Sequence, residues 1–317
     1  MRTYLSFETP VAEIDARIDE LRALAAKGEV PAIGEEVARL EARSLKVLAD
    51  LYSALTPWQK TEVARVPSRP HFCDYVKGLI KDFTPLSGDR KFAEDAAIVG
   101  GFGRFRGSPI CLIGHEKGDD TASRLRHNFG MARPEGYRKA ARLMELADRF
   151  GLPVVALVDT AGAWPGVDAE ERGQAEAIAR ATDMSLALGA PNVAIVIGEG
   201  GSGGALAIAA CNKVLMLEHS IYTVASPEAA ASILWRDSSR AQDAAMSMKI
   251  TAQDLLKFGV IDAIVPEPIG GAHRDPEAAI AATGRAIGAA LDSLGAMSCD
   301  ELHESRATKF LGMGRKI

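Results

Sequence analysis

The four cysteines of this 317-residue chain, Cys73, Cys111, Cys211 and Cys299, stand far apart, with no C-x-x-C pair among them. That spacing argues against a disulfide framework and against a structural zinc site, and for reduced thiols in a cytoplasm. No metal is expected in this chain. Positive charge is also in short supply: 37 Lys and Arg against 42 Asp and Glu leave a net charge of −5, so there is no basic footprint for nucleic acid. A phosphate-bearing ligand would need a local patch. No segment approaches the roughly 20 apolar residues of a membrane span. Acids interrupt the apolar residues from Phe7 onward, so neither a membrane segment nor a targeting leader is expected. What remains, 47% hydrophobic and 25% charged, is the composition of a soluble globular enzyme able to bury a sizeable core.

What the chain has in concentration is glycine. Five of the seven residues from Gly198 to Gly204 are glycines, between the apolar run Val193–Ile197 and the small-residue run Ala205–Ala210. The pattern predicts a strand, a tight loop and a helix start. Glycine admits positive φ and close backbone approach, and a helix N-terminus leaves its first amides unpaired beside a partial positive charge. Two anion chemistries fit. Gly198, Gly200 and Gly203 satisfy G-x-G-x-x-G, with Glu218 about 20 residues on, as in dinucleotide binding. Alternatively, amides near Gly203 and Gly204 form an oxyanion hole for a charge that develops during reaction.

Val11, Ile14, Ile18, Leu21 and Ala25, then Val37, Leu40, Val47, Leu48, Leu51 and Leu55 after a Gly28–Gly34 break, recur at helical spacing and predict a helical hairpin. Thr56-Pro57-Trp58-Gln59 announces a third helix with a capping box. Residues 1–65 thus read as a helical extension, with 66–317 as the main domain. There, Ala97–Phe105 and Pro109–Gly114 flank a hairpin turn at Arg106-Gly107-Ser108. A helix near Tyr137–Phe150 presents Ala140, Leu143, Met144 and Ala147 on one face. The strand Val154–Val158, the loop Asp159–Gly166 and a long helix over Ala169–Leu188 are then repeated by the Gly198–Gly204 unit. Lys213–Leu217, a helix around Ser226–Leu234, a helix capped by Thr251 and the strand Gly259–Val265 follow. Repeated β-then-α units give an α/β fold, either a doubly wound sheet or a spiral of stacked β-β-α turns.

Val158-Asp159-Thr160-Ala161-Gly162-Ala163-Trp164-Pro165-Gly166, Ala169–Gln174, Ile197–Ile208, Ser232–Trp235 and Pro266–Arg274 closely resemble the alpha-subunit family of the carboxyltransferase of bacterial acetyl-coenzyme A carboxylase. Phe7-Glu8, Asp74-Tyr75-Val76, Gly114-His115, Asn128–Met131 and Pro134–Ala140 also fall where that family has them, so the likeness runs almost end to end. The resemblance implies a crotonase-like β-β-α spiral preceded by the helical extension. It implies pairing with a beta subunit, commonly as an α2β2 heterotetramer with the active site between the subunits and any structural zinc in the beta subunit. It also implies transfer of a carboxyl group from carboxybiotin, borne on the biotin carboxyl carrier protein, to acetyl-CoA, giving malonyl-CoA for fatty-acid synthesis. Biotin carboxylase is a further partner in the holoenzyme. By the same resemblance Gly203 and Gly204 would be the catalytic amides facing the biotin ureido oxygen. Gly200 and Gly201, with Gly162, Ala163 and Trp164 of the preceding unit, would bind substrate.

This chain departs from the family in three places. It has Ala161 and Trp164 where the family usually shows Pro and Tyr, and Ala229 where it shows Gly. Glu116, Asp119 and Asp120 remove positive charge from a possible phosphate-facing surface, so no CoA phosphate contact is carried onto them. His115 and His273 lie beside glycine-rich turns, where a lone histidine ordinarily satisfies local backbone groups, and no Ser/His/Asp arrangement can be assembled from spacing. Arg138 and Lys139 can reach a phosphate or simply form a solvated helix face. A nicotinamide-dependent dehydrogenase built on the Gly198–Gly203 loop is the alternative, and it leaves Asp159–Gly166 unexplained. A scaffold subunit whose partner does all the chemistry is the third reading.

Overall fold

The computed structural model describes residues 3–26 and 33–315. Helix α1 (Thr9–Ala26) packs on α2 (Gly34–Ser53), as the apolar spacing predicts; most of the Gly28–Gly34 break lies outside the described residues. Helix α3 (Pro57–Ala64) opens on the predicted box: the Gln59 amide donates to Thr56 Oγ1 at 3.2 Å and the Thr56 amide to Gln59 Oε1 at 2.8 Å. Val11, Leu48, Tyr52 and Val63 form a small core of their own. Buried Glu8 fastens it to the rest of the chain, accepting from the Tyr52 hydroxyl at 2.9 Å and from Arg274 at 2.7 Å.

Helix α4 (Phe72–Leu79) leads into an antiparallel meander of β1 (Ile80–Pro85), β2 (Ile98–Phe105) and β3 (Ser108–His115), the last two joined by the predicted hairpin turn. Short α5 (Thr121–Arg126) and α6 (Pro134–Arg149) carry the chain to β4 (Val154–Thr160). The single helix expected over Ala169–Leu188 is two, α7 (Val167–Glu171) and α8 (Gln174–Ala187). Gly173 between them adopts φ +81°, a left-handed conformation that ends one helix and redirects the next. Then come β5 (Asn192–Gly201), α9 (Ser202–Ala209), β6 (Lys213–Leu217) and β7 (Ile221–Thr223). Helices α10 (Pro227–Trp235), capped by Ser226, α11 (Ala241–Met248) and α12 (Ala252–Lys257), capped by Thr251, precede β8. The strand expected from Gly259 is shortened in β8 to Ala263–Val265, and α13 (Pro276–Leu294) and α14 (Cys299–Gly312) end the described chain.

The sheet order β1-β2-β3-β4-β5-β6-β8 runs in one direction, parallel from β3 onward, without the reversal that defines a doubly wound sheet. β7 stands off this path. It pairs with Glu199–Gly201 at the far end of β5, whose Val193–Val196 pairs with β6. Both faces of the central strands are covered, which is why they read as continuous apolar runs. Val154, Ala156, Val158, Ala194 and Val196 meet α6, α8 and α9 on one face. Val155, Leu157, Val193, Ile195 and Ile197 meet α4, α13 and α14 on the other. At the opposite end from the glycines, fully buried Arg306 of α14 donates to Asn192 Oδ1 (3.2 Å), Asn212 Oδ1 (2.6 Å) and the carbonyls of Leu186 and Leu188.

Candidate active site

β4 and β5 are parallel neighbours, so both glycine turns leave the same edge of the sheet. The first is fixed by side chains. Thr160 Oγ1 accepts the Gly162 amide at 3.1 Å and donates to the Gly162 carbonyl at 2.7 Å. The Trp164 amide donates to the Ala132 carbonyl at 3.0 Å, and Gln174 Nε2 bridges the carbonyls of Ala132 and Trp164, each at 2.9 Å. The Trp164 indole donates to Asp168 at 3.0 Å and lies under the Arg133 guanidinium.

The second turn is not the tight loop that the glycine run suggests. β5 continues to Gly201, and α9 begins at the next residue, so the change of direction falls on Ser202, a non-glycine residue at φ +51°. The glycines have separate steric reasons. A side chain at Gly198 would meet the Asp159 carboxylate at 2.5 Å, and one at Gly200 the Tyr222 ring at 2.9 Å. At Gly201 a Cβ would fall 2.0 Å from the Ala161 carbonyl oxygen. At Gly204 it would fall 2.7 Å from the Ala163 nitrogen and 3.0 Å from the Tyr137 hydroxyl. The two turns therefore touch backbone to backbone. Gly203 alone has ordinary space, with Ile178 at 3.4 Å. No side chain of the N-cap residue Gly201 caps α9, and the first-turn amides, those of Gly203 and Gly204 among them, have no partner within the helix. Gly203 and Ser202 open onto a cavity of about 480 Å³ lined largely by apolar groups, among them Leu206, Val224 and Ile250.

Beneath the turns lies a buried charge lattice. Lys117 Nζ meets Asp159 Oδ1 at 2.6 Å, and the same oxygen accepts the Glu199 amide at 2.9 Å. Burial raises the Asp159 pKa, but Lys117 and that amide outweigh it and hold the group below the usual range. Arg65, just past α3, binds Glu199 and Glu228, each at 2.7 Å, tying the helical extension to β5 and α10. Glu267 accepts from Arg69 and from the His219 and Ala272 amides; burial opposes its ionisation, yet Arg69 brings its pKa down to about 2.

Of the residues singled out from the sequence, Gly162, Ala163 and Trp164 are partly exposed on the first turn, whereas Gly200 and Gly201 are buried strand residues paired with β7. Gly203 borders the cavity, and Gly204 faces inward onto the first turn. His115 is fully buried against the Gly204 backbone, its ring nitrogens making no hydrogen bond of good geometry, and burial lowers its pKa to about 4. His273 is lowered to about 4 by burial and then by Arg69 and Arg274. The unbonded, buried Tyr137 hydroxyl beside Gly204 is a site feature that helical periodicity reads simply as core. Arg138 and Lys139 are neither solvated nor available: Arg138 binds Asp89 and Glu135, and Lys139 binds Glu94 and the Asp95 carbonyl. All four cysteines are free thiols. Among the described residues Cys299, Asp300 and His303 of α14 are the one group spaced to hold a metal ion, and His303 Nε2 already lies 2.9 Å from the Ala187 carbonyl. Among the described residues no helix is long and apolar enough to cross a membrane.

A one-directional, largely parallel sheet with paired glycine turns at one edge is the crotonase-like fold of the carboxyltransferases. The 12S subunit of transcarboxylase superposes with a TM-score of 0.59 at 20% identity, over 74% of this chain and 44% of that one. The beta subunit of P. aeruginosa geranyl-CoA carboxylase gives 0.56 at 18%, over 80% and 46%. The chain spans under half the length of each, and at such identities the likeness is one of fold alone. Within this class the chain belongs to the acetyl-coenzyme A carboxylase carboxyltransferase family, which residues 4–314 match under the description acetyl co-enzyme A carboxylase carboxyltransferase-like. It is 71% identical over all 317 residues to the full-length acetyl-coenzyme A carboxylase carboxyl transferase subunit alpha of Beijerinckia indica, and 68% to that of Methylobacterium nodulans, again over both whole chains. The dehydrogenase alternative finds no support in these matches. The structure gives the reason: Gly198 and Gly200 lie inside a paired strand instead of a phosphate-binding turn, and the Glu218 carboxylate accepts the Glu267 amide at 3.2 Å.

Proposed function

We propose that this chain is the alpha subunit of an acetyl-CoA carboxylase carboxyltransferase, acting in the cytoplasm with a beta subunit in an α2β2 assembly. In this reading residues 66–317 form the carboxyltransferase domain, and the helical extension, 1–65, serves assembly. The carboxyl group comes from carboxybiotin on the biotin carboxyl carrier protein, charged by biotin carboxylase, and acetyl-CoA leaves as malonyl-CoA. The N–CO2 bond breaks, a C–C bond forms to the acetyl methyl carbon, and the methyl proton passes to the released biotin anion. Negative charge develops on the ureido oxygen, and the first-turn amides of α9, those of Gly203 and Gly204, would receive it. Gly162, Ala163 and Trp164 shape the entrance, while Gly200 and Gly201 set the backbone that carries the amides. The beta subunit supplies the second hole, for the thioester enolate. Pre-aimed amides stabilise such a charge without a titrating side chain, and losing one donor costs about 3–4 kcal/mol of barrier.

The observation that carries this reading is the uncapped start of α9 at the mouth of the 480 Å³ cavity, whose lining holds no carboxylate or histidine. That lining suits a reaction in which the substrate itself is the base. The test is reverse transfer: malonyl-CoA with free biotin or its carrier, with and without the beta subunit. Turnover is expected only with both subunits present. Turnover by this chain alone, or none by the assembled pair, would overturn the proposal.

A further inference from the structure

A second cavity, of about 180 Å³, lies between the segment after β1 and the outer face of α6. In a chain of net charge −5, five of its lining side chains are cationic, against two acids. Both acids are already engaged. Asp89 Oδ2 accepts from Arg138 Nε at 2.8 Å, and its Oδ1 accepts the amides of Lys91, Phe92 and Ala93. Glu145 pairs with Arg180 at 3.1 Å. Arg90, Lys91 and Arg142 are left, and among the described residues none of them makes an ion pair. Arg142 Nη2 donates to the carbonyls of Leu86, Ser87 and Gly88 at 3.0–3.5 Å, while its Nε is buried without a partner. Burial, and then the neighbouring Arg90 guanidinium, lower the Arg142 pKa and outweigh the opposing pull of Glu94 and Asp89. Like charges held together with unfilled donors disfavour one another, and an anion between them would reverse the sign of the interaction.

We propose that this cavity is a binding site for a phosphate-type dianion, free or as the terminal phosphate of a larger ligand. Its volume admits a tetrahedral anion, and it is smaller than the roughly 300 Å³ at which pockets for whole organic ligands begin. The Arg142 guanidinium supplies charge from the wall, and the exposed Arg90 and Lys91 supply charged donors from the rim. Hydrogen bonds from cationic side chains to a dianion are charge-assisted, the stronger class. The site does not depend on the carboxyltransferase reading, since none of these residues belongs to the glycine turns.

The test is calorimetric titration of the full chain at low ionic strength with two probes, inorganic phosphate and adenosine 3′,5′-bisphosphate. Saturable binding is expected. It should weaken at least about tenfold in a double variant, Arg90→Gln with Lys91→Gln, that leaves the carbonyl bonds of Arg142 in place and so keeps its melting temperature. Arg142→Gln should weaken it further. Equal affinity for the two probes identifies the free anion as the ligand, and a marked preference for the bisphosphate identifies a phosphate carried on a ribose. Absence of saturable binding by either probe, or binding unchanged in a folded double variant, would overturn the proposal. Because the readout is binding, failure here says nothing against the transferase assignment.

Discussion

The turn after β4 is held by Thr160, Trp164, Asp168 and Gln174, each giving a side-chain hydrogen bond to it or within it. The segment at the second turn, from Gly198 to Gly204, is braced by a side chain only where Asp159 accepts the Glu199 amide; otherwise it is shaped by the absence of side chains at Gly198, Gly200, Gly201 and Gly204, where a Cβ would collide with Asp159, Tyr222 and the first turn itself. One turn uses up its polar groups and becomes a wall. The other rests against that wall, and the helix that follows it starts without a side-chain cap. A helix start without a side-chain cap keeps its shape only if something else holds it still, and here the first turn lies against it. Division of labour between neighbouring turns is a way to pre-organise donors that a single loop does not offer.

Substitution at Gly204 should break the comparison most completely. A valine there places Cβ 2.7 Å from the Ala163 nitrogen, so both turns must part. Turnover of the assembled enzyme is expected to vanish, with a stability loss of about 1–3 kcal/mol from overpacking; near-normal turnover would show that the amides are not the device. Next in size, Lys117→Met leaves the Asp159 carboxylate buried beside a single amide, and should lower stability by about 3 kcal/mol in a denaturant titration. An unchanged midpoint would mean that the pair does not join the turns.

The pH response sharpens the same contrast, because it probes the lattice beneath the turns. Glu267 has its pKa depressed from 4.5 to about 2, so its contribution is full above about pH 4.5 and fades as pH falls toward 2. His115 and His273, lowered from 6.5 to about 4, stay neutral in the fold and take up protons when it opens, so stability should also fall from pH 6.5 toward 4. Glu267→Gln should flatten only the lower window, and His115→Gln only part of the upper one, in melting curves against pH. The smallest effect belongs to Trp164→Phe, which removes the indole donor but keeps the ring: about 1 kcal/mol of stability, with the Gly203 amide undisturbed and turnover within a fewfold of the original. A collapse of turnover in that variant would assign Trp164 a direct contact with substrate.

The central strands, the capping box at Thr56 and the apolar face of α6 are legible in the sequence because each is written in neighbouring residues. Val154–Val158 and Val193–Ile197 are apolar throughout, since helices cover both of their faces. β7 is not legible: three residues, Ile221–Thr223, become a strand only because β5 outruns β6 and offers them an edge. Nor is the turn at Ser202, where a non-glycine residue takes the positive φ and the glycines around it serve close approach instead. The phosphate-facing candidates Arg138 and Lys139 are taken up by acids 49 and 45 residues upstream, while Arg142, one helical turn further on, is left with a buried Nε that has no partner. Spacing along a helix shows which residues share a face, but which partners arrive there is decided by the tertiary fold.

Arg306 has a consequence for how the molecule is made. It stands near the end of the chain, yet it is the partner of Asn192, Asn212 and two carbonyls at the foot of β5 and β6, deep in the sheet. A ribosome delivers those strands about 90 to 110 residues before it delivers the guanidinium that completes them. Until then the Asn192 and Asn212 oxygens have only each other's backbone amides, and the Leu186 and Leu188 carbonyls lack the guanidinium donor, a loss of about 1–3 kcal/mol for each acceptor left unpaired. The nascent protein is thus kept from closing its own centre until α14 has been made, and a chain that stops before it carries its incompleteness in the core, where it weakens the whole fold.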